Sequence, residues 1–182
     1  ILTSYLDSYP SSASHDEIET LLINSFITSK NYKQALVVLE KNKTSLNKEA
    51  YQKVAFYRGL ELYIDGNYSE AKELFAKSLK EQRNTAFTAR AIFWTAEIEY
   101  LMDHYSEALL LFKQFEGYLD SKILSEKKNY FYDVAYCYFK LKDYEQAGLN
   151  FQNYIDENKA DKVRLNDAYL RLGDSRFATS KY

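Results

Sequence analysis

One phrase, a polar residue followed by Tyr-x-x-Ala, recurs down this chain at nearly constant spacing. It reads Asn31-Tyr32-x-x-Ala35, Asn67-Tyr68-x-x-Ala71, His104-Tyr105-x-x-Ala108 and Asp143-Tyr144-x-x-Ala147. With Tyr182 as a fifth mark, the tyrosines stand 36, 37, 39 and 38 residues apart. A period in this range predicts a stacked array of small units, each covered by its neighbours because it cannot bury its own apolar face.

The offsets around each tyrosine predict what one unit contains. Three residues on stands Ala35, Ala71, Ala108 or Ala147, and seven on stands Leu39, Phe75, Phe112 or Phe151. Steps of three and seven share one helical face. Nine residues before the tyrosine stands Gly59, Ala96, Ala135 or Gly173, with Ile23 the exception. A small residue there lets two helix axes approach closely. The unit is therefore read as two antiparallel helices with a tight turn just before the tyrosine, where Gly66 makes a good helix end. One proline and five glycines in 182 residues leave too little turn chemistry for a strand-rich fold. The aromatic content of 16%, mostly 18 Tyr and 11 Phe, suits thin helical layers that gain much contact from few residues.

Two stretches carry a family resemblance. Tyr169-Leu170-Arg171-Leu172-Gly173, running on to Ser180-Lys181-Tyr182, resembles the first helix and turn of a tetratricopeptide repeat. Residues 59–78, with Gly59, Gly66, Tyr68, Ala71, Phe75 and Ser78, resemble most of another. The spacing departs from the usual period of about 34 by two to five residues, and the family's tryptophan has one echo, Trp94, displaced by two. The resemblance implies an all-α, TPR-like superhelical solenoid of antiparallel helix pairs, a single array over 1–182. Its expected divisions are 1–14 as the end of a preceding repeat, full repeats over 15–48, 49–84, 85–124 and 125–162, and the start of another over 163–182. Residues 1–10 read as the tail of a second helix ending at Pro10. Two flanking half-units without polar caps suggest a piece of a longer protein, or ends covered by a partner.

The resemblance also implies where a partner binds, since first helices line the concave surface of such arrays. Positions 12, 8 and 5 before each tyrosine give Thr20, Asn24 and Ile27, then Phe56, Leu60 and Tyr63, then Phe93, Glu97 and Tyr100. Tyr132, Tyr136 and Phe139 follow, and finally Leu170, Asp174 and Phe177. The expected groove is Asn24, Phe56, Tyr63, Phe93, Glu97, Tyr100, Tyr132, Tyr136 and Phe139, an aromatic surface suited to an extended peptide or a partner helix. The competing reading packs these rings between neighbouring helices. Some members of the family clamp a C-terminal carboxylate with lysine and asparagine. Here the matching places hold Thr20 and Asn24, so the lysine is missing. Lys53 and Arg90, one turn away, offer contacts to an acidic partner.

Catalysis finds no support. His15 and His104 fall in different units, and Cys137 on an apolar helix reads as a small buried residue. Glu97 and Glu99 point different ways on a helix, and no two glycines are close enough for a phosphate loop. The expected protein is a non-enzymatic scaffold without cofactor or metal. A net charge of −2, from 24 basic and 26 acidic residues, argues against nucleic acid. No apolar run approaches the roughly 18 residues a membrane span needs. Lys127-Lys128, with Lys122 nearby, reads as part of a polar link over 121–129. Two other functions stay open. One is a role in bacterial cell-envelope assembly, as a periplasmic or lipoprotein component, because Tyr5-Leu6-Asp7-Ser8-Tyr9-Pro10-Ser11-Ser12 resembles a phrase common in envelope repeat proteins. The other is glycan binding by open tyrosine rings.

Overall fold

A computed structural model describes residues 2–9, 11–41, 47–157 and 161–180. Pro10, Lys181 and Tyr182, which mark an expected helix end and a fifth repeat, lie outside them. Among the described residues the protein is all-α, with ten α-helices, one 3-10 turn and no strand.

The turn before each repeat tyrosine has a fixed construction. Lys30, Gly66, Asp103, Lys142 and Ser180, each two residues before a repeat tyrosine, adopt left-handed backbone angles, with φ between 55° and 80°. The next residue's N–H then reaches back across the helix end: Asn31 to the Phe26 carbonyl at 2.8 Å, Asn67 to Leu62 at 2.8 Å, His104 to Glu99 at 2.9 Å and Asp143 to Tyr138 at 3.0 Å. This Schellman closure satisfies carbonyls that a helix end would leave bare. The same four residues begin the second helix, accepting from the N–H of Ala35, Ala71, Ala108 and Ala147. Only Gly66 meets the left-handed angle without a Cβ penalty.

The chain forms two compact units, 1–87 and 88–182. The first holds α1 (Leu2–Ser8), α2 (His15–Thr28), α3 (Tyr32–Lys41), α4 (Lys48–Ile64) and α5 (Tyr68–Glu81). Ile23, Ala35 and Leu39 form one core with Tyr51, Val54 and Ala55, so α3 is packed by α2 on one side and by α4 on the other. That shared cover is what a repeat of short helix pairs requires. Farther on, the buried Gln52 of α4 holds the segment after α5. Its Oε1 accepts from the N–H of Arg83 at 3.0 Å and Asn84 at 2.7 Å, and its Nε2 donates to the Asn84 carbonyl at 3.1 Å.

The second unit contains most of α6 (Thr85–Leu101), then α7 (Tyr105–Glu116), a 3-10 turn over Leu119–Ile123, α8 (Lys127–Lys140), α9 (Tyr144–Glu157) and α10 (Lys162–Ala178). Ala135, Ala147, Phe151, Tyr154, Ile155, Ala168 and Leu172 form its main core, with α9 packed between α8 and α10. Here the expected polar link over 121–129 is corrected. Helix α8 begins at Lys127, and that ammonium lies 3.1 Å from the Glu116 carboxylate and 4.4 Å from the Tyr130 ring centre. The aliphatic stem of a lysine packs well on rings, so Lys127 is half-buried at the helix start while Lys128 stays exposed, as expected.

All four alanines of the repeated phrase are fully buried, as are Phe75, Phe112 and Phe151. The small position nine residues before the tyrosine divides. A Cβ on Gly59 would lie 2.9 Å from Cε1 of the buried Phe75, whereas one on Gly173 would meet nothing within 4 Å. Gly59→Ala and Gly173→Ala should therefore move stability in opposite directions. Alanine favours a helix interior by roughly 1 kcal/mol over glycine, and that gain should appear in full at position 173. At position 59 overpacking costs about 1–3 kcal/mol, enough to turn the gain into a loss. Thermal melts of the two variants check this; shifts of the same sign would contradict the close approach at Gly59.

Candidate functional site

The expected groove residues separate into three groups. Phe56 and Phe93 are not groove residues: each is at most 2% exposed. The Phe56 ring packs 5.8 Å from Phe75, and the Phe93 ring 5.2 Å from Phe112. The reason is geometric. Positions 12, 9 and 5 before the tyrosine share one helical stripe, and the small residue at 9 faces the second helix. Position 12 must face it too.

Position 5 serves the turn. Tyr63 packs on Tyr68 at 5.5 Å, Tyr100 on Tyr105 at 5.4 Å and Phe139 on Tyr144 at 5.4 Å. Each ring thus meets the repeat tyrosine of its own hairpin, leaving one edge half-exposed. Asn24 is exposed on α2 and stands in the first unit with Phe56 and Tyr63. Arg90, expected to be available to an acidic partner, instead donates from Nε to Glu126 at 2.7 Å.

Glu97, Tyr100, Tyr132 and Tyr136 do come together. They line a cavity of about 260 Å³ in the second unit, with Leu101, Asp133 and Arg164 completing its wall. Helix α6 supplies Glu97 and Tyr100 one turn apart, α8 supplies Tyr132, Asp133 and Tyr136, and α10 supplies Arg164. The Tyr132 and Tyr136 rings lie 5.0 Å apart, and Tyr100 meets Tyr136 edge-on at 6.5 Å. Both the Tyr132 and Tyr136 hydroxyls donate to Oδ2 of Asp167, at 2.9 and 2.5 Å. A carboxylate shared in this way fixes both rings.

Burial pushes the Tyr100, Tyr132 and Tyr136 hydroxyls up from their ordinary range, with Asp167 adding to the effect on the latter two. All three stay protonated at neutral pH, and Tyr132 and Tyr136 donate. Asp133 is held well above the usual carboxylate range, by burial first and then by the charge of the nearby Glu97; Arg164 opposes this. The Arg164 guanidinium donates to Asn129 at 2.9 Å and lies 5.7 Å from the Tyr132 ring centre. Beneath the wall, burial also pushes the Cys137 thiol up, away from the thiolate a nucleophile needs. The arrangement supplies rings, hydroxyl donors and paired carboxyls, which is the equipment of a binding site.

Asp133, Arg164 and Asp167 escape the sequence reading. The one signal for Arg164 and Asp167 is the run Arg164, Asp167, Arg171 and Asp174, whose alternating charges fall at helical spacing. In the structure Arg171 lies 3.6 Å from Asp167 and 2.8 Å from Asp174. Elsewhere, Glu99 is buried and lies 2.8 Å from Nδ1 of His104. His15, which looks isolated in sequence, has ligand-type atoms within 4.8 Å of those of Asp16 and Glu19 on one turn of α2. Among the described residues no helix is long and apolar enough to cross a membrane.

No protein-family model matches the chain, and no curated protein matches it. Among solved structures it is similar to the crystal structure of BtubC (BKLC) from P. vanneervenii, with a TM-score of 0.60 at 15% identity over 92% of this chain and 74% of that one. At that identity the likeness is one of fold, an all-α architecture of helical-repeat character.

Proposed function

We propose that this chain is a superhelical array of the tetratricopeptide type and acts as a non-enzymatic scaffold that binds a segment of another protein. The observation that carries the reading is the meeting of Glu97, Tyr100, Tyr132 and Tyr136 around one cavity. Rings held by Asp167 and by their neighbours are already ordered, so little conformational freedom remains to be lost on binding. Half-exposed rings beside hydroxyl donors and carboxyls suit a peptide that offers both apolar and polar groups.

Titration with random short peptides and with oligosaccharides, followed by tyrosine fluorescence, tests the assignment. Peptides should bind, and the combined change Tyr100→Ala and Tyr136→Ala should weaken that binding at least about tenfold. Circular dichroism of the variant checks that its helices persist. Sugars bound in place of peptides, or peptides bound equally well by the variant, would defeat the proposal.

A further inference from the structure

Helix α10 is apolar on two sides. One side buries Ala168 and Leu172 in a core shared with Ala147 and Phe151 of α9. Another carries Leu170, Gly173 and Phe177, at positions 12, 9 and 5 before Tyr182, with Leu170 and Phe177 59% and 72% exposed. A Cβ on Gly173 would meet nothing within 4 Å. In α4, α6 and α8 the same three positions are buried or half-buried, because a second helix lies on them in a fixed register. Position 12 meets the aromatic seven residues after the repeat tyrosine: Phe56 meets Phe75 at 5.8 Å, Phe93 meets Phe112 at 5.2 Å and Tyr132 meets Phe151 at 6.2 Å. Position 5 meets the tyrosine itself, at 5.5 Å for Tyr63 and at 5.4 Å for Tyr100 and Phe139. The α10 face is therefore a fourth copy of an interface that the chain builds three times, presented among the described residues without its second helix.

We propose that this face of α10 docks an amphipathic helix of the second-helix kind, one that carries Tyr-x-x-Ala-x-x-x-Phe along one side. Register defines the occupant more narrowly than hydrophobicity does. Its tyrosine comes beside Phe177, its alanine lets the two axes approach, and its phenylalanine covers Leu170 and closes over Gly173. The glycine favours the tightest of the three existing fits. On α4 the Phe75 ring leaves no room for a Cβ on Gly59, whereas α6 and α8 carry Ala96 and Ala135 at that position. A helix built like α5 is the best match. Laying an apolar helix face into such a surface removes both from water, and each ring adds a large buried area. Leu170, Gly173 and Phe177 line no part of the cavity around Tyr100 and Tyr136, so this docking surface stands apart from the one proposed above.

The probe is a synthetic peptide copying residues 67–82, with blocked ends and a fluorescent label, titrated into the purified protein and followed by anisotropy. It should bind saturably, and a copy carrying Phe75→Ala should bind at least about tenfold more weakly. Gly173→Leu starts its side chain in open space and replaces glycine by a better helix former, so the fold should persist, as circular dichroism checks. Filling the position that the peptide's phenylalanine needs, it should weaken binding by a similar factor, while Tyr100→Ala with Tyr136→Ala should leave binding unchanged. No saturation up to about 1 mM, equal binding by the Phe75→Ala copy or by the Gly173→Leu protein, or binding lost in the tyrosine variant, overturns this proposal and leaves the cavity reading standing. Sedimentation of the protein alone gives a further check: dimerisation abolished by Gly173→Leu would seat a second copy on this face and overturn the proposal as well.

Discussion

Phe112→Ala should lower the stability of the unit spanning 88–182 by about 3–5 kcal/mol, the cost of emptying a buried aromatic site. Phe112 is fully buried seven residues after Tyr105, on the α7 face that also buries Ala108. Its ring meets Phe93 edge-on at 5.2 Å, and Phe93 in turn meets Phe115 edge-on at 5.0 Å. Both neighbours are themselves at most 2% exposed. Stiff rings fixed on two helices collapse poorly into a void, so most of the cavity term should persist. Phe112→Leu, which keeps most of the apolar volume, should cost no more than about 1.5 kcal/mol. The two losses are read from urea midpoints at unchanged slope. An alanine variant that melts with the unaltered protein would mean that the recurring aromatic is not what joins the two helices of a pair.

The same face shows how far local periodicity carries a reading. The turn, the buried alanine and the buried aromatic lie at constant offsets from each tyrosine because one hairpin fixes them all, and a chain read by itself displays such offsets directly. The stripe of positions 12, 9 and 5 was equally visible. Its small residue marked a close helix contact, so Phe56 and Phe93 were recognisable as interior from the residues alone. What the offsets do not display is which residues of successive first helices meet. Glu97 and Asp133 stand at different positions relative to their own tyrosines, and so do Tyr136 and Asp167. Their meeting depends on how far one helix pair is shifted and turned against the next, a quantity the spacing within a pair does not contain. The left-handed turn residues escape for another reason. Lys30, Asp103 and Lys142 adopt an angle that glycine favours, and two backbone hydrogen bonds at each turn override their own preference.

Glu126→Ala is expected to be nearly as damaging as the loss of Phe112, for an electrostatic reason. The Glu126 side chain is 3% exposed, while that of Arg90 retains 19%. One oxygen, Oε1, accepts from Arg90 Nε at 2.7 Å and from Trp94 Nε1 at 3.0 Å. The other, Oε2, accepts from Ser125 at 3.0 Å. These bonds tie the residue that opens α8 to two consecutive turns of α6. Removing the carboxylate takes a buried acceptor from a largely buried guanidinium and from an indole N–H, and breaking such a pair costs about 3 kcal/mol when one partner keeps some access to water. Glu126→Gln retains a carbonyl acceptor and should cost roughly 1–2 kcal/mol. Burial alone would push the Glu126 carboxyl up, but the Arg90 hydrogen bond and charge, followed by the Trp94 bond, outweigh it and hold the group below its ordinary 4.5. A carboxyl lowered on folding contributes stability that is complete above its unfolded value and is lost as pH falls through the folded one. The gap in Tm between the unaltered protein and Glu126→Gln should therefore be constant near neutrality and narrow below about pH 4.5, since only the glutamate takes up a proton. A gap that stayed constant down to about pH 3 would show that the carboxylate's charge contributes nothing to joining α6 and α8.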